Sequence, residues 1–376
     1  MKNRFPHIVF TGGGTLGHLF PGLATAESIA RDVPDARITF AGGGKPLELR
    51  HVSQAGFEYL ALPSRPMPRR PGEAISFVAE NLAGYLRAKR FLHEQRVDVV
   101  VGLGGYASAP MARAAIRRDV PLVLLEQNSI PGKVTRWLAR SATLVCAAMA
   151  ATRANLRCGC AVRVTGNPVR GRTFPPGVAR GGSDKRLLVL GGSGGAKAIN
   201  ENVPRALYKI RSQLDGWQIV HQSGPSGEED TRRLYGKLAV EAVVVPLIDD
   251  VPALLSECRL AVCRAGGGTL AELSSAGVPA VLVPYPHAAD DHQAGNARVF
   301  SGAGAAICVD GRQLPGRLDD HLAAAMSELL GDARRRERMS AAMRRLSHPE
   351  AAAEVAREVL KIAQWRFDWK NHPVAA

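Results

Sequence analysis

The chain has 376 residues, of which 46% are hydrophobic and 22% are charged, and these values are typical of a folded protein. Its formal net charge is +15, and residues 1–168 hold 22 Lys and Arg against 11 Asp and Glu, which indicates an anionic partner: a phosphorylated substrate, an anionic lipid surface or nucleic acid. The six Cys lack the spacing of a disulfide framework or a zinc site, and no apolar stretch reaches the ~18–20 residues of a membrane-spanning helix.

The first half of the chain alternates short apolar runs with helical patterns. The first apolar run, 7–10, is too short for a signal peptide, so we expect a protein that lies on a membrane if it meets one. Helices are predicted over 20–31 and 76–95. Buried parallel strands are predicted at 7–10, 38–40, 97–101, 122–126 and 144–147.

The same rhythm restarts in the second half after a segment rich in Gly, Pro and Arg. That segment, 166–184, has the composition of a linker. It separates a predicted N-terminal domain, 1–165, from a C-terminal domain, 185–348. A last helical pattern at 349–364, within the segment 349–376, could pack back on the N-terminal domain. The strands predicted in this half are 186–190, 218–221, 243–246, 260–263 and 280–283.

Together these elements predict an α/β fold of two Rossmann-like domains whose parallel sheets face each other across a cleft. Three glycine-rich turns follow predicted strands: the first glycine loop (11–18, TGGGTLGH), the second (102–108, GLGGYAS) and the third (191–196, GGSGGA). Gly lets main-chain N–H groups at a helix start approach an anion. Because the loops occur in both domains, we expect a ligand between them.

Two common nucleotide sites fit the first glycine loop poorly. A Rossmann dinucleotide site needs an acidic residue at the tip of the second strand, but the sequence there is AGGGK at 41–45. No Gly-Lys-Ser/Thr follows, which excludes a P-loop. His18 stands at a helix start, where the dipole disfavours the imidazolium form, so the ring could accept a proton or serve as a hydrogen-bonded structural His.

Residues 74–92, if helical, carry an apolar stripe with basic neighbours. This pattern is typical of contact with anionic lipid headgroups, and equally of a core-facing helix with a solvated basic face. The apolar residues are Ile75, Val78, Leu82, Tyr85 and Leu86, and the bases are Arg65, Arg69, Arg70, Arg87, Lys89 and Arg90.

A series of motifs, in order along nearly the whole chain, resembles the MurG family of UDP-N-acetylglucosamine–lipid I transferases, which have the GT-B fold. Leu16 stands where the family has Gly, Leu125 stands where it has His, and 63–72 lacks its Gly-Leu-Arg-Gly pattern, so acceptor contacts there are not transferred. The motifs are TGGGTLGHLFPGLA (11–24), GLGGYASAP (102–110), EQN (126–128), GNPVR (166–170), GGSGGAKAIN (191–200), CRAGGGTLAE (263–272) and PHAADDHQAGNA (286–297).

The resemblance implies roles for particular residues. His18 would be the general base that takes the proton of the acceptor hydroxyl, with Glu126 as the competing candidate. Donor binding would involve Thr15, Leu16, Gly17, Asn128, Arg170, Ser193, Ile248, Gly267, Gly268, Thr269, Leu270, Ala271, Glu272 and Gln293. The acceptor and its diphosphate would meet Gly13, Gly14, Gly104, Gly105 and Tyr106.

The resemblance also implies separate roles within that donor set. Glu272 would accept both ribose hydroxyls, and Ser193 with nearby N–H groups would hold the UDP diphosphate. The main chain near Ile248 would contact uracil, while Asn128 and Gln293 would touch the N-acetylglucosamine (GlcNAc) hydroxyls. The Asp pairs 249–250 and 290–291 would point to opposite faces if extended, so we expect neither a metal nor another cofactor.

The implied reaction is inverting transfer of GlcNAc from UDP-GlcNAc to the 4-hydroxyl of N-acetylmuramic acid (MurNAc) in undecaprenyl-pyrophosphoryl-MurNAc-pentapeptide (lipid I), which gives lipid II for peptidoglycan. The enzyme would act at the cytoplasmic face of the inner membrane, with an anionic membrane surface and cell-wall synthesis proteins as partners. Alternatives are a GT-B transferase with another lipid or natural-product acceptor, a UDP-GlcNAc 2-epimerase, and a precursor-binding subunit that does not catalyse. A nucleic-acid-binding protein would leave the three glycine loops unexplained.

Overall fold

The computed structural model describes residues 5–14, 16–68, 70–170, 185–192, 194–248, 250–314 and 317–363. The chain forms two compact units. Unit 1 comprises Met1–Gln127, Pro131–Arg170 and Glu350–Ala376, and unit 2 comprises Asn128–Ile130 and Gly171–Pro349. Residues 171–184 of the predicted linker lie outside the described residues.

Each unit is built on one parallel sheet. Unit 1 has strand order β3-β2-β1-β4-β5-β6-β7 and unit 2 has order β10-β9-β8-β11-β12-β13, and all the pairings are parallel. The strands are β1 (His7–Gly12), β2 (Arg37–Gly42), β3 (Glu58–Ala61), β4 (Val99–Gly104), β5 (Leu122–Glu126), β6 (Leu144–Ala147), β7 (Ala161–Val164), β8 (Arg186–Leu190), β9 (Gln218–Gln222), β10 (Val243–Val245), β11 (Leu260–Cys263), β12 (Ala280–Leu282) and β13 (Ala306–Cys308).

Helices connect successive strands, as parallel pairing requires. They are α1 (Leu16–Asp32), α2 (Pro46–Gln54), α3 (Ala74–Glu94), α4 (Ala109–Arg117), α5 (Lys133–Leu138), α6 (Ala150–Asn155), α7 (Lys197–Lys209), α8 (Glu228–Lys237), α9 (Val251–Ser256), α10 (Gly267–Ala276), α11 (His292–Gly302), α12 (Leu318–Gly331), α13 (Ala333–Arg345) and α14 (Ala351–Ile362). The predicted α/β class with Rossmann-like parallel sheets is confirmed. None of the helices among the described residues is both long and apolar enough to cross a bilayer.

The sheet of unit 1 is buried on both faces. Alternate residues of a strand point to opposite sides, and each side packs in its own cluster. Ile8 and Phe10 pack in one cluster with residues of α1 and α14, whereas Val9 packs in a second cluster with residues of α3 and α4. This burial on both faces explains why the central strands read as continuous apolar runs.

The last helix, α14, belongs to unit 1 although it follows unit 2 in the chain. Its buried residues Val355, Val359 and Leu360 lie in the same cluster as Leu23 of α1. Arg163 Nη1 lies 2.8 Å from Glu358 Oε1, which adds an ion pair between β7 and α14.

All ten predicted strands are present, and the sequence missed β3, β7 and β13. These three lie at sheet edges and are partly or largely exposed. An edge strand needs no continuous apolar run, so its pattern in the sequence is weaker.

Candidate functional site

The glycine loops lie at the switch points of the two sheets. In an open parallel sheet, ligands bind at the carboxyl ends of the strands where the strand order reverses. In unit 1 the order reverses between β1 and β4, which carry the first and second glycine loops. In unit 2 it reverses between β8 and β11, which are followed by the third glycine loop and by Gly266 at the start of α10. Each sheet therefore has its Gly-rich turns where a ligand is expected.

In unit 1 the first two glycine loops are in direct contact. Gly12 is paired with Gly104 across the β1–β4 ladder. A Cβ added to Gly105 would lie 2.6 Å from the Gly13 carbonyl oxygen, and φ of Gly105 is 73°, so both space and backbone geometry require Gly there. Close packing of these main chains explains the Gly content of both loops.

His18 lies in the first turn of α1 and its ring faces the second glycine loop. A Cβ on Gly104 would lie 3.0 Å from His18 Cδ2 and 3.3 Å from Nε2. The Tyr106 ring contacts the first glycine loop, with Cε1 3.4 Å from the position of a Gly14 Cβ. The structure thus brings together His18, Gly13, Gly14, Gly104, Gly105 and Tyr106, which the sequence grouped as base and acceptor site.

The remaining predicted residues of the first loop have less distinctive surroundings. Leu16 begins α1 and packs partly buried against the core, and Gly17 is exposed. Thr15 lies outside the described residues.

Glu126, the competing base candidate, is buried at the end of β5. Its Oε2 accepts a hydrogen bond from the Gly132 N–H at 3.1 Å. The carboxylate therefore closes the turn that leads into α5, which is a structural role in addition to the predicted catalytic one. The next residue, Gln127, is also buried and donates through Nε2 to the Leu103 carbonyl at 3.1 Å.

A carboxylate that the sequence analysis missed lies against the first glycine loop. Glu48 of α2 is only 3% exposed, and its Oε1 accepts the Gly14 N–H at 2.7 Å. Its Oε2 accepts the Tyr59 hydroxyl at 2.8 Å, and burial together with this hydrogen bond raises the pKa of Tyr59. The Lys45 ammonium donates to the Gly14 carbonyl at 2.9 Å.

The tip of β2 has no acidic residue, since the sequence there is AGGGK at 41–45. The acid lies one turn further on, in the first turn of α2, and that helix returns it to the loop. The signal that could have found it is an acidic residue just after a Pro helix start.

In unit 2 the third glycine loop packs against the turn after β9. A Cβ on Gly195 would lie 2.1 Å from the Ser223 carbonyl oxygen. That same oxygen accepts the Asn200 side-chain amide at 2.8 Å. Asn200 Oδ1 lies 3.1 Å from His221 Nε2, and His221 Nδ1 lies 3.0 Å from the Tyr235 hydroxyl.

Burial lowers the pKa of His221 to about 4, so the ring is neutral at ordinary pH. Its Nε2–H then donates to Asn200, and its Nδ1 accepts from Tyr235. Each group in this hydrogen-bond chain therefore donates to the next, from Tyr235 through His221 to Asn200. This chain fixes the turn that supports the third glycine loop. Ser193, the predicted diphosphate ligand in that loop, lies outside the described residues.

The start of α10 supplies N–H groups beside a carboxylate. Gly267, Gly268 and Thr269 form its first turn, and main-chain N–H groups in the first turn of a helix point toward an anion bound at its start. Leu270 is buried and Ala271 partly so. Burial raises the pKa of Glu272 in the next turn to about 7. Hydroxyl donors would stabilise such a carboxylate strongly, because it is poorly solvated.

Asn296 of α11 is fully buried and holds two other segments of unit 2. Its Oδ1 accepts the Ser129 N–H at 2.8 Å, and its Nδ2 donates to Asn128 Oδ1 at 3.0 Å and to the Ala265 carbonyl at 2.9 Å. Gln293, one turn earlier, accepts the Tyr285 N–H through Oε1 at 2.9 Å. One helix therefore carries Gln293 and fixes Asn128, yet the sequence analysis gave Asn296 no role.

Two predicted donor ligands already have partners. Arg170 Nη2 lies 2.6 Å from Glu27 Oε1 within unit 1, so a phosphate there would compete with Glu27. The Ile248 N–H donates to Gln222 Oε1 at 3.0 Å, so a uracil contact would use the carbonyl or replace this bond.

Asp290 and Asp291 are not extended, so the condition under which the sequence argument placed them on opposite faces is not met for this pair. Asp290 and Asp291 have φ of 52° and 58° in a tight turn, and Asp250 caps α9 by accepting the Ala253 N–H. Asp249 lies outside the described residues. Across the part of the chain that the structure describes, no group of three or more His, Cys, Asp and Glu side chains is placed to hold a metal ion.

Sequence comparison matches both halves of the chain to one family. The Glycosyltransferase family 28 N-terminal domain matches residues 8–147, and the C-terminal domain of the same family matches residues 186–355. A protein of Anaeromyxobacter dehalogenans is 38% identical over 370 residues, covering 96% of this chain and 94% of its own length. A protein of Methylococcus capsulatus is 39% identical over 367 residues, covering 95% and 98%.

Both relatives carry the name UDP-N-acetylglucosamine–N-acetylmuramyl-(pentapeptide) pyrophosphoryl-undecaprenol N-acetylglucosamine transferase. Among solved structures, Acinetobacter baumannii MurG is similar with a TM-score of 0.73 and 29% identity, covering 95% of this chain and 99% of that one.

Proposed function

The chain belongs to glycosyltransferase family 28, and from that premise we propose that it transfers GlcNAc from UDP-GlcNAc to the 4-hydroxyl of MurNAc in lipid I, giving lipid II. The observation that carries this proposal is the match, along 96% of the chain, to relatives named for that reaction. The match includes the loops at both switch points, so it covers donor and acceptor sides alike.

Unit 2 is the proposed donor unit. The N–H groups at the start of α10 and in the third glycine loop would bind the UDP diphosphate and stabilise the charge that grows on it as the sugar leaves. Glu272 would accept the ribose hydroxyls, and its poor solvation favours that exchange. Asn128 and Gln293, both held by hydrogen bonds, would orient the GlcNAc ring.

Unit 1 is the proposed acceptor unit. The 4-hydroxyl oxygen attacks the anomeric carbon on the face opposite the departing UDP, which inverts its configuration. His18 takes the hydroxyl proton, and its place in the first turn of α1 favours a neutral ring that can do so. The close packing of the ring on Gly104 fixes its orientation for this transfer.

The same unit carries the proposed membrane surface. Ile75, Val78, Leu82 and Leu86 of α3 are 83%, 60%, 52% and 55% exposed, an unusual apolar row on a surface helix. Arg70, Arg87 and Lys89 are exposed beside it, and Arg90 is exposed and pairs with Glu94. Arg65 pairs with Glu80, and Arg69 lies outside the described residues. Tyr85, predicted in the same stripe, packs against the core instead.

This row with its basic rim supports reversible attachment to the anionic cytoplasmic face of the inner membrane, where lipid I would be offered. Lipid II production would link the enzyme to cell-wall growth, cell shape and division. We expect other cell-wall synthesis proteins among its partners.

Transfer of labelled GlcNAc from UDP-GlcNAc to lipid I, with the anomeric configuration of the product determined, tests the proposal. We expect a β-linked disaccharide product that depends on lipid I. Parallel reactions with another lipid acceptor and with no acceptor separate the alternatives. Transfer to the other lipid alone, or formation of UDP-N-acetylmannosamine without acceptor, would show that the proposal is wrong.

A further inference from the structure

The first glycine loop was expected to bind an anion through its main-chain N–H groups. Glu48 places a carboxylate against one of these N–H groups. The Gly14 N–H, assigned by sequence to the acceptor diphosphate, is 2.7 Å from Glu48 Oε1. A carboxylate there opposes anion binding at that N–H, so Gly14 is held by the protein itself.

The carboxylate is built into the fold. Glu48 is 3% exposed, and its second oxygen accepts the Tyr59 hydroxyl, which in turn accepts the Gly44 N–H at 3.0 Å. A Cβ on Gly13 would lie 2.5 Å from Glu48 Oε1, so the loop closely follows the shape of the carboxylate. Nothing larger than Gly fits at that position without moving Glu48.

The same loop segment contacts the second glycine loop on its other side. The Gly13 carbonyl oxygen is 2.6 Å from the position of a Gly105 Cβ, and the His18 ring lies against Gly104. Glu48, the first glycine loop, the second glycine loop and His18 therefore form one continuous set of contacts. Loss of the Glu48 hydrogen bond would leave a partly buried N–H without its acceptor and release this segment.

We propose that Glu48 is a positioning residue of the acceptor site, whose carboxylate holds the Gly14 N–H and thereby sets the loop conformation that aligns His18 with the acceptor hydroxyl. This inference rests on the proposed function. It assigns no direct contact between Glu48 and the substrates.

Paired variants separate positioning from simple stability. Glu48→Gln keeps an oxygen that accepts the Gly14 N–H, whereas Glu48→Leu has a similar volume and no acceptor. With lipid I, we expect Gln to retain kcat within about threefold and Leu to lower kcat roughly 10- to 100-fold. The KM for UDP-GlcNAc should change less than kcat in both, because Glu272 and Gln293 of the proposed donor site belong to unit 2. Glu58→Ala, at a carboxylate whose side chain is 59% exposed, is the matched control and should behave as wild type.

Hydrogen exchange without substrates gives a second readout that does not depend on turnover. Amides of residues 12–16 should exchange faster in the Leu variant than in the Gln variant or in Glu58→Ala. If wild type fails to modify lipid I, the proposed function is wrong, while this exchange experiment still tests whether Glu48 holds the loop.

Equal loss of kcat in folded Gln and Leu variants, or wild-type turnover in the Leu variant, would overturn the inference. If the Leu variant does not fold, Tyr59→Phe decides, since it removes only the hydroxyl that braces the carboxylate. It should lower kcat about 3- to 10-fold and speed exchange at residues 12–16. No change in either quantity would also overturn the inference.

Discussion

At the scale of single residues, Glu272 combines burial with a proposed role, the binding of the ribose hydroxyls, that needs its charged form. Burial raises its pKa to about 7, so near neutral pH the free protein holds it partly protonated. Only the ionised form can accept both ribose hydroxyls. Donor binding should therefore be coupled to ionisation of this group, and the affinity for the donor should fall as the pH falls below about 7.

We predict that the KM for UDP-GlcNAc rises up to about tenfold as pH falls from 8 to 6, because the ionised fraction of Glu272 falls over that range. Glu272→Gln should remove this dependence. Glu272→Ala should raise the donor KM roughly 10- to 100-fold at pH 8, through loss of two hydrogen bonds to a charged acceptor. Steady-state kinetics at fixed lipid I measures both effects.

The control is Glu229→Ala, at a surface carboxylate of α8 that is 71% exposed. It should leave the donor KM and its pH profile as in wild type. An unaltered donor KM in Glu272→Ala would remove the ribose role from this residue.

The choice of base between His18 and Glu126 can be decided by kcat. His18→Ala should lower kcat roughly 10²- to 10⁴-fold with little change in donor KM, since the proton acceptor is lost. Glu126→Gln keeps an oxygen for the Gly132 N–H and should have a much smaller effect. His93→Ala, an exposed His at the end of α3, serves as control. A larger loss in Glu126→Gln than in His18→Ala would reverse the assignment.

Some residues of the candidate acceptor site could be predicted because their sequence pattern is local. Gly13, Gly104 and His18 belong to strand–loop–helix turns that can be read from the chain itself. Glu48 has a local signal in the Pro-led first turn of α2, but its contact with the first glycine loop joins segments distant in sequence. The partners of Asn296 are likewise distant in sequence, and tertiary packing alone reveals both sets of contacts. A buried polar side chain has no pattern of its own; its need for hydrogen-bond partners becomes visible once burial is known.

At the scale of elements, α3 is a helix whose apolar row is turned to solvent rather than to the core. Ile75 and Val78 lie near its start and are exposed. Ile75→Ser with Val78→Ser should reduce binding to vesicles of anionic phospholipid several-fold, since each apolar side chain buried at an interface contributes about 1.5–3 kcal/mol at most. Vesicle co-sedimentation at low and high salt measures this.

A matched control for that experiment is Val243→Ser, at a Val that is 60% exposed in β10 of unit 2. It should leave vesicle binding unchanged. Unaltered binding of the α3 double variant would show that the row has another role. Weakening of wild-type binding by salt would indicate that the neighbouring bases contribute.

Elements were predictable in proportion to their burial. Central strands such as β1 and β4 are buried on both faces, so their apolar runs are continuous in the sequence. The edge strands β3 and β7 carry charged residues at exposed positions and were missed, as was the three-residue edge strand β13. The edge strand β10 was predicted, because its sequence is three consecutive Val. The missing information was strand order, which depends on pairing between distant segments.

At the scale of the whole molecule, the chain does not divide into two simple consecutive halves. Asn128–Ile130 belongs to unit 2 while its flanking residues belong to unit 1, and α14 belongs to unit 1 after the whole of unit 2. Gly295 explains the first case, since a Cβ there would lie 2.8 Å from Ser129 Oγ and from Ile130 Cδ1. Composition alone does not show which unit such a segment joins, because this depends on which surfaces pack together.

The return of α14 leads to a prediction about where stability resides. Leu360 is 1% exposed in the cluster that contains Ile8 and Phe10, so Leu360→Ala should destabilise unit 1 by about 2–5 kcal/mol. Leu207→Ala, at a fully buried Leu of α7, should cost unit 2 a similar amount. Hydrogen exchange followed segment by segment should show faster exchange in β1 for the first variant and in β8 for the second.

The matched pair makes the outcome specific, because both changes remove the same atoms from a helix. If C-terminal residues contributed to unit 2, Leu360→Ala would speed exchange in β8 and leave β1 protected. The expected pattern instead couples the last helix of the chain to its first strand. Loss of α14 packing should then impair His18 and the acceptor loops before it affects donor binding, and UDP-GlcNAc affinity in Leu360→Ala, measured by calorimetry, should stay at the wild-type value.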